Sequence, residues 1–61
     1  MTIDLKITST TGNISYRMNF DSVLSAMSYG DAIGKSYEVL ATYYDPQCNT
    51  DVTKVVYQCD T

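Results

Sequence analysis

The chain has 61 residues, is 44% apolar and 18% charged, and carries seven acids against four bases for a formal net charge of −3. This composition fits one folded domain and not a disordered tail. The acid excess argues against a nucleic-acid binder, which needs a basic surplus, and is compatible with a basic protein surface as partner. A domain this short buries only roughly 60% of the surface its unfolded form exposes, so a disulfide, a metal or a second subunit is the usual source of extra stability.

The N-terminus Met1-Thr2-Ile3-Asp4-Leu5-Lys6 lacks the basic segment and apolar core of a signal peptide. No apolar run approaches the ~20 residues of a membrane span. The expectation is a cytoplasmic protein without a membrane partner. The first segment alternates, with Ile3, Leu5 and Ile7 on one side and Asp4, Lys6 and Thr8 on the other, which predicts a half-buried strand. Gly12-Asn13 predicts a two-residue hairpin turn. A second alternating segment follows, with Ile14, Tyr16, Met18 and Phe20 set against Ser15, Arg17, Asn19 and Asp21. With Gly12-Asn13 as the loop, Ile7 faces Met18, Leu5 faces Phe20 and Ser9 faces Tyr16, so both apolar rows share one face.

Ser22, Leu24 and Ala26 keep the inward parity and extend the second strand to about residue 26. The alternative starts a helix at Asp21, but Val23, Leu24 and Met27 then miss the apolar face of the helix expected next. Ser28 and Asp31 have capping-box spacing. At 100° per residue, residues 29–44 place Ile33, Tyr37, Leu40 and Tyr44 within roughly 60° of one another. Asp31, Lys35, Glu38 and Thr42 fall opposite, and Asp31 precedes Lys35 by four residues, the favourable order for a helical ion pair. Asp45-Pro46 ends this helix. Gly30 and Gly34, four apart, allow close approach of the sheet.

A second helical row, Ala32, Ser36, Val39 and Tyr43, widens the apolar arc beyond what one sheet covers and marks a partner surface centred on Val39 and Tyr43. Asp31, Glu38 and Asp45 recur every seven residues as an acidic line suited to a basic groove. After a polar loop, Val52 to Cys59 is β-branched and predicts the last strand. Lys54 and Gln58 are expected to face out, and Thr53, Val55, Tyr57 and Cys59 in. Lys6, Arg17 and Lys54 then gather on the open sheet face as an alternative, basic site. That face shows Thr8, Asn19 and Gln58 but no aromatic, whereas sheet-type RNA readers stack bases on exposed aromatics. Asp4 and Asp21 dilute its charge.

An extended 52–59 carries Cys59 roughly 23 Å from the strand start, out of reach of Cys48, so both thiols are expected free. Two cysteines without histidine do not make a four-ligand zinc site. The chain has no histidine, no serine with a recognisable base and no glycine-rich phosphate loop. Nothing recognisable activates Cys48. No catalytic residue, cofactor or metal is expected.

The layout is therefore α+β, β-β-α-β: a three-stranded antiparallel sheet, first strand central, with one helix on one face. This order, with a helix opened by Ser28-Tyr29-Gly30-Asp31-Ala32, resembles small phage-encoded host-takeover proteins, among them the short inhibitor of host RNA polymerase and several small anti-CRISPR proteins. The resemblance implies a non-catalytic inhibitor in the host cytoplasm that occludes a host protein or ribonucleoprotein complex engaged in nucleic-acid processing. A second likeness runs from Phe20-Asp21 to Asp31-Ala32, which is similar to the strand-to-helix junction of HicB-type antitoxins. It implies a small self-associating structural or regulatory subunit. The apolar edge of the Val52–Tyr57 strand invites pairing and is the expected route to such a homodimer.

Overall fold

The computed structural model describes residues 1–60. Among them are four strands and one helix: β1 (Thr2–Thr8), β2 (Ile14–Phe20), α1 (Val23–Ile33), β3 (Ser36–Asp45) and β4 (Thr50–Cys59). The strands form a single antiparallel sheet in the order β2-β1-β3-β4, and α1 lies across one face, on β1, β3 and β2. The α+β class holds and β1 is central, but the sheet has four strands, because residues 36–45 form a strand and not the second half of a helix.

That segment carries two periods at once. Tyr37, Leu40 and Tyr44 fit a helix, while Tyr37, Val39, Ala41 and Tyr43 fit a strand. Local chemistry decides between them. Gly34 takes the left-handed conformation (φ 74°) and its N–H donates to the Gly30 carbonyl at 3.3 Å, closing the helix; glycine reaches that conformation without a Cβ penalty. Beyond it, tyrosine, valine and threonine favour a pleated, half-buried surface.

At the helix start, Ser22 is extended and its Oγ accepts the Ser25 N–H at 3.1 Å, which satisfies one of the free donors of the first turn. The helix thus begins close to the Asp21 alternative. Ser28 and Asp31 fall inside it and make no capping box. Its inward row is Val23, Ala26, Met27 and Gly30, spaced as one face of a helix. Ala26 and Gly30 are buried, and Val23 and Met27 pack on the core. At Gly30 the helix rests on the Tyr37 ring, where a Cβ would come within 2.6 Å of Tyr37 Cδ1.

The first hairpin also differs from the expectation. Ser9 N–H donates to the Asn13 carbonyl at 2.9 Å, so Thr10-Thr11-Gly12 is a three-residue loop with Gly12 left-handed at φ 88°. Leu5 therefore pairs with Arg17 and Ile7 with Ser15, not with Phe20 and Met18. The slip is three residues, an odd number, and an odd slip moves every side chain of a strand to the other face. Ile14, Tyr16 and Met18 accordingly share a face with Lys6 and Thr8. A bulge at Met18-Asn19, with Asn19 at φ 64°, restores the parity, so that Phe20 pairs with Ile3 and turns back to the core.

The core lies between α1 and the sheet. Ile3, Leu5, Ala26, Tyr37, Val39 and Ala41 are each 4% exposed or less, with Ile7, Phe20, Val23, Met27 and Cys59 packed around them. Phe20 meets the Tyr29 ring edge-on at 5.6 Å, and the Arg17 guanidinium stands 5.1 Å from the centre of the same ring.

Both cysteines are free, Cys48 in the β3–β4 turn and Cys59 at the far end of β4. Among the described residues no helix is long and apolar enough to cross a membrane. The radius of gyration is 12.2 Å, against roughly 10.5 Å for an ordinary domain of this length. The excess comes from a single open sheet and from the far end of the β3–β4 hairpin. There Tyr43–Asp45 and Thr50–Val52 run past the last β1–β3 pair, Thr2–Thr42.

Candidate protein-binding surface

The sheet registers assign every side chain to a face. On the side away from α1 stand Ile14, Tyr16 and Met18 of β2, Asp4, Lys6 and Thr8 of β1, Glu38, Leu40, Thr42 and Tyr44 of β3, and Asp51, Thr53, Val55 and Gln58 of β4. Thr42 and Thr53 share a hydroxyl hydrogen bond at 2.8 Å across the β3–β4 ladder on this face. Ile14, Tyr16, Met18, Tyr44 and Val55 are between 50 and 64% exposed. They flank a polar centre in which Lys6 Nζ lies 3.4 Å from Glu38 Oε1. Asp4 Oδ1 accepts the Asn19 N–H at 3.2 Å, which holds the β2 bulge.

Among the residues expected to form a helical partner surface, the structure separates nearly all. Val39 is 0% exposed, beneath α1; it is core, because its strand parity turns it inward. Tyr43 is half-buried beside Lys54, whose Nζ lies 6.0 Å from the ring centre. Asp31, Glu38 and Asp45 do not form a line. Asp31 is in α1, where its Oδ1 accepts the Tyr37 hydroxyl at 2.6 Å. Glu38 pairs with Lys6 on the open face, and Asp45 Oδ1 accepts the Gln47 N–H at 2.9 Å in the β3–β4 turn. Lys35 is exposed in the link between α1 and β3.

The basic alternative divides as well. Lys6 is on the open face, but Arg17 and Lys54 pair with the inward residues Leu5 and Ala41 and stand on the helix side. In β4, Tyr57 and Cys59 turn inward as expected. A bulge at Val56 flips the strand, so Thr53 and Val55 face out. Of the aromatics on the open face, Tyr16 escapes the sequence pattern because a two-residue loop sets the wrong hairpin register, and Tyr44 because a helical reading of residues 29–44 puts it in the core stripe. The alternation in β2 is plain in the sequence; the identity of its face is not.

The Tyr37 hydroxyl is held well above the ordinary tyrosine range, first by its hydrogen bond to the Asp31 carboxylate and then by burial. A proton lost there would set a phenolate against a carboxylate. The pair ties the end of α1 to β3 and is structural in role.

A shallow depression of about 300 Å³ is lined by Thr8, Ser36, Tyr37, Glu38, Gln58 and Asp60. Its rim carries two carboxylates, Glu38 and Asp60, and Glu38 is already paired with Lys6. Among the described residues no three histidine, cysteine, aspartate or glutamate side chains converge as metal ligands would. Compared with protein-family models, curated proteins and solved structures, the chain matches none.

Proposed function

We propose that the chain is a non-catalytic binding protein that acts by occupying a protein surface. One observation carries this reading. On a 61-residue domain, five large apolar side chains stand half exposed or more on one face of one sheet. Apolar area gathered on one face marks an interaction site, whereas single exposed residues do not. Tyrosine and methionine, both present there, are favoured at interfaces.

Within this class the partner is a host nucleic-acid-processing complex, and the effect is steric occlusion. The acid excess supports a basic partner surface. The protruding end of the β3–β4 hairpin presents Tyr44, Asp45 and Asp51 beyond the sheet, with the Tyr44 hydroxyl donating to Asn49 Oδ1 at 2.6 Å to brace the turn. Direct binding to nucleic acid is disfavoured. Tyr16 and Tyr44 offer stacking surfaces, but Lys6 is offset by Asp4, Glu38 and Asp51 on the same face, and phosphate contact needs a positive surplus.

The test is affinity capture from bacterial lysate with mass spectrometry, comparing the wild type with Asp45→Lys/Asp51→Lys. The expected result is a stoichiometric protein partner lost in the variant. Absence of any such partner, or equal capture by the variant, would overturn the inhibitor reading.

A second reading, a self-associating structural or regulatory subunit, is favoured by the same bare face. The β4 edge is the poorer route to it, because the Val56 bulge and Lys54 interrupt strand pairing there.

A further inference from the structure

We propose that the open face of the sheet is covered by a second copy of this chain, across a two-fold axis that runs parallel to the strands between β1 and β3. The proposal rests on reading that face as protein-binding and is independent of the inhibitor role.

Charge selects this axis. Register places Tyr16, Lys6, Glu38 and Gln58 in one row across the four strands. A two-fold interface must be self-complementary, residue i meeting j and j meeting i. Rotation about an axis between β1 and β3 lays β1 over β3 of the second copy and β2 over its β4. Lys6 then meets Glu38 of the second copy, and Glu38 meets its Lys6. Tyr16 comes over Gln58, an amide that its hydroxyl can bond. Other axes in the plane lose this match: one running across the strands at the Lys6–Glu38 row sets lysine over lysine and glutamate over glutamate.

Apolar area favours the same axis. The same rotation brings the exposed Met18 over the exposed Val55 of the second copy, one row from the Tyr16–Gln58 contact. The two longer dimensions of the molecule, 37 and 22 Å, limit the flat face to at most about 800 Å², so cover of most of the face is needed to approach the area each partner contributes to a standard stable interface. Two such sheets stack about 10 Å apart with strands crossing at roughly 30°, the ordinary sandwich geometry.

The arrangement has a consequence for binding. An axis parallel to the strands leaves strand direction unchanged, so both β3–β4 hairpin ends project from the same end of the dimer. Two copies of Asp45 and Asp51 then face one way, and the dimer is bivalent towards a basic surface.

The experiment is light scattering with size-exclusion chromatography, under reducing conditions so that Cys48 and Cys59 do not cross-link, from micromolar to millimolar chain. The wild type is expected at twice the 6.8 kDa chain mass. Lys6→Glu and Glu38→Lys, each checked for native circular dichroism, are expected to weaken association at least about tenfold by setting like charges together. Mixing the two variants is expected to restore a mixed dimer, because the carboxylate introduced at position 6 of one chain then meets the ammonium introduced at position 38 of the other. Only a contact between chains gives that rescue, since within each variant chain the two charges still repel. A wild type that stays monomeric throughout would overturn the proposal. So would a dimer indifferent to both reversals, which would assign association to another surface such as the β4 edge. A monomer that still captures a lysate partner would remove the dimer and leave the inhibitor reading standing.

Discussion

On the helix side of the sheet, Ile3, Leu5, Tyr37, Val39 and Ala41 are sealed beneath α1 at 4% exposure or less. On the other side, Ile14, Tyr16, Met18 and Val55 are half exposed or more. Both sets alternate with polar neighbours, and either would serve as the inner face of a strand. Hydrophobicity therefore does not separate them; loop length and bulges do. A three-residue turn instead of a two-residue one moves the β2 row outward, and the bulge at Met18-Asn19 brings Phe20 back. The first face is finished within the chain, and the second is left open.

Changes on the covered face should have the largest effect. Val39→Asp buries a carboxylate without a partner and is expected to unfold the domain, with loss of its circular dichroism signal, whereas Tyr16→Asp on the open face should leave the fold intact. If Val39→Asp folds normally, the helix does not cover β3. Leu5→Ala is expected to cost about 2–5 kcal/mol in urea unfolding, the range for a buried leucine.

Gly30→Ala sharpens the comparison at the contact between helix and sheet. Alanine ordinarily stabilises a helix by up to ~1 kcal/mol over glycine. Here the new methyl meets the Tyr37 ring, so the expected sign is reversed, with a loss of about 1–3 kcal/mol as the ring or the helix shifts. A stabilised Gly30→Ala would show that α1 does not lie on Tyr37.

The residue beneath that glycine gives a pH prediction. The unfolded tyrosine titrates near ~10, while in the fold the Asp31 hydrogen bond and burial hold the Tyr37 proton on to higher pH. Above the unfolded value the native state binds a proton that the unfolded chain has released. Stability is therefore fully present below about pH 10 and falls as pH rises beyond it. Tyr37→Phe should flatten that fall and should cost about 1.5–3 kcal/mol at neutral pH, through loss of a hydrogen bond to a charged group. An unchanged alkaline slope would mean that the Tyr37–Asp31 pair does not form.

The smallest effect is expected at the bulge. Asn19→Val puts a β-branched residue at positive φ and should cost roughly 1–2 kcal/mol, while Asn19→Gly should be close to neutral; equal stabilities would argue against the bulge that returns Phe20 to the core.

Much of this architecture is legible in the residue pattern. Alternation outlines β1, β2 and most of β4, and places β1 at the centre. The segment from Ser36 to Asp45 is ambiguous because it satisfies both a 3.6-residue and a 2-residue period; only its β-favouring side chains and the stop at Gly34 decide. The candidate surface is less legible, because a face depends on register. A helical spacing puts Glu38 in line with Asp31 and Asp45, yet it lies beside Lys6, and that neighbour exists only once β3 pairs with β1. A helical wheel groups Val39 with Tyr43, and the strand gives them different degrees of burial beside different neighbours.

The central claim is that one face of the sheet is covered by α1 and the other by a second copy, and two methionines report on it directly. Met18 is 64% exposed on the open face, and Met27, on the inward row of α1, is packed against the core. Peroxide converts an accessible methionine to its sulfoxide, so the oxidation rate of each, followed by peptide mass spectrometry across protein concentration, measures the cover over each face. The expected result is fast oxidation of Met18 in dilute protein that slows as concentration rises, with Met27 slow throughout. A Met18 rate independent of concentration, or a Met27 rate equal to that of Met18 in dilute protein, would contradict it.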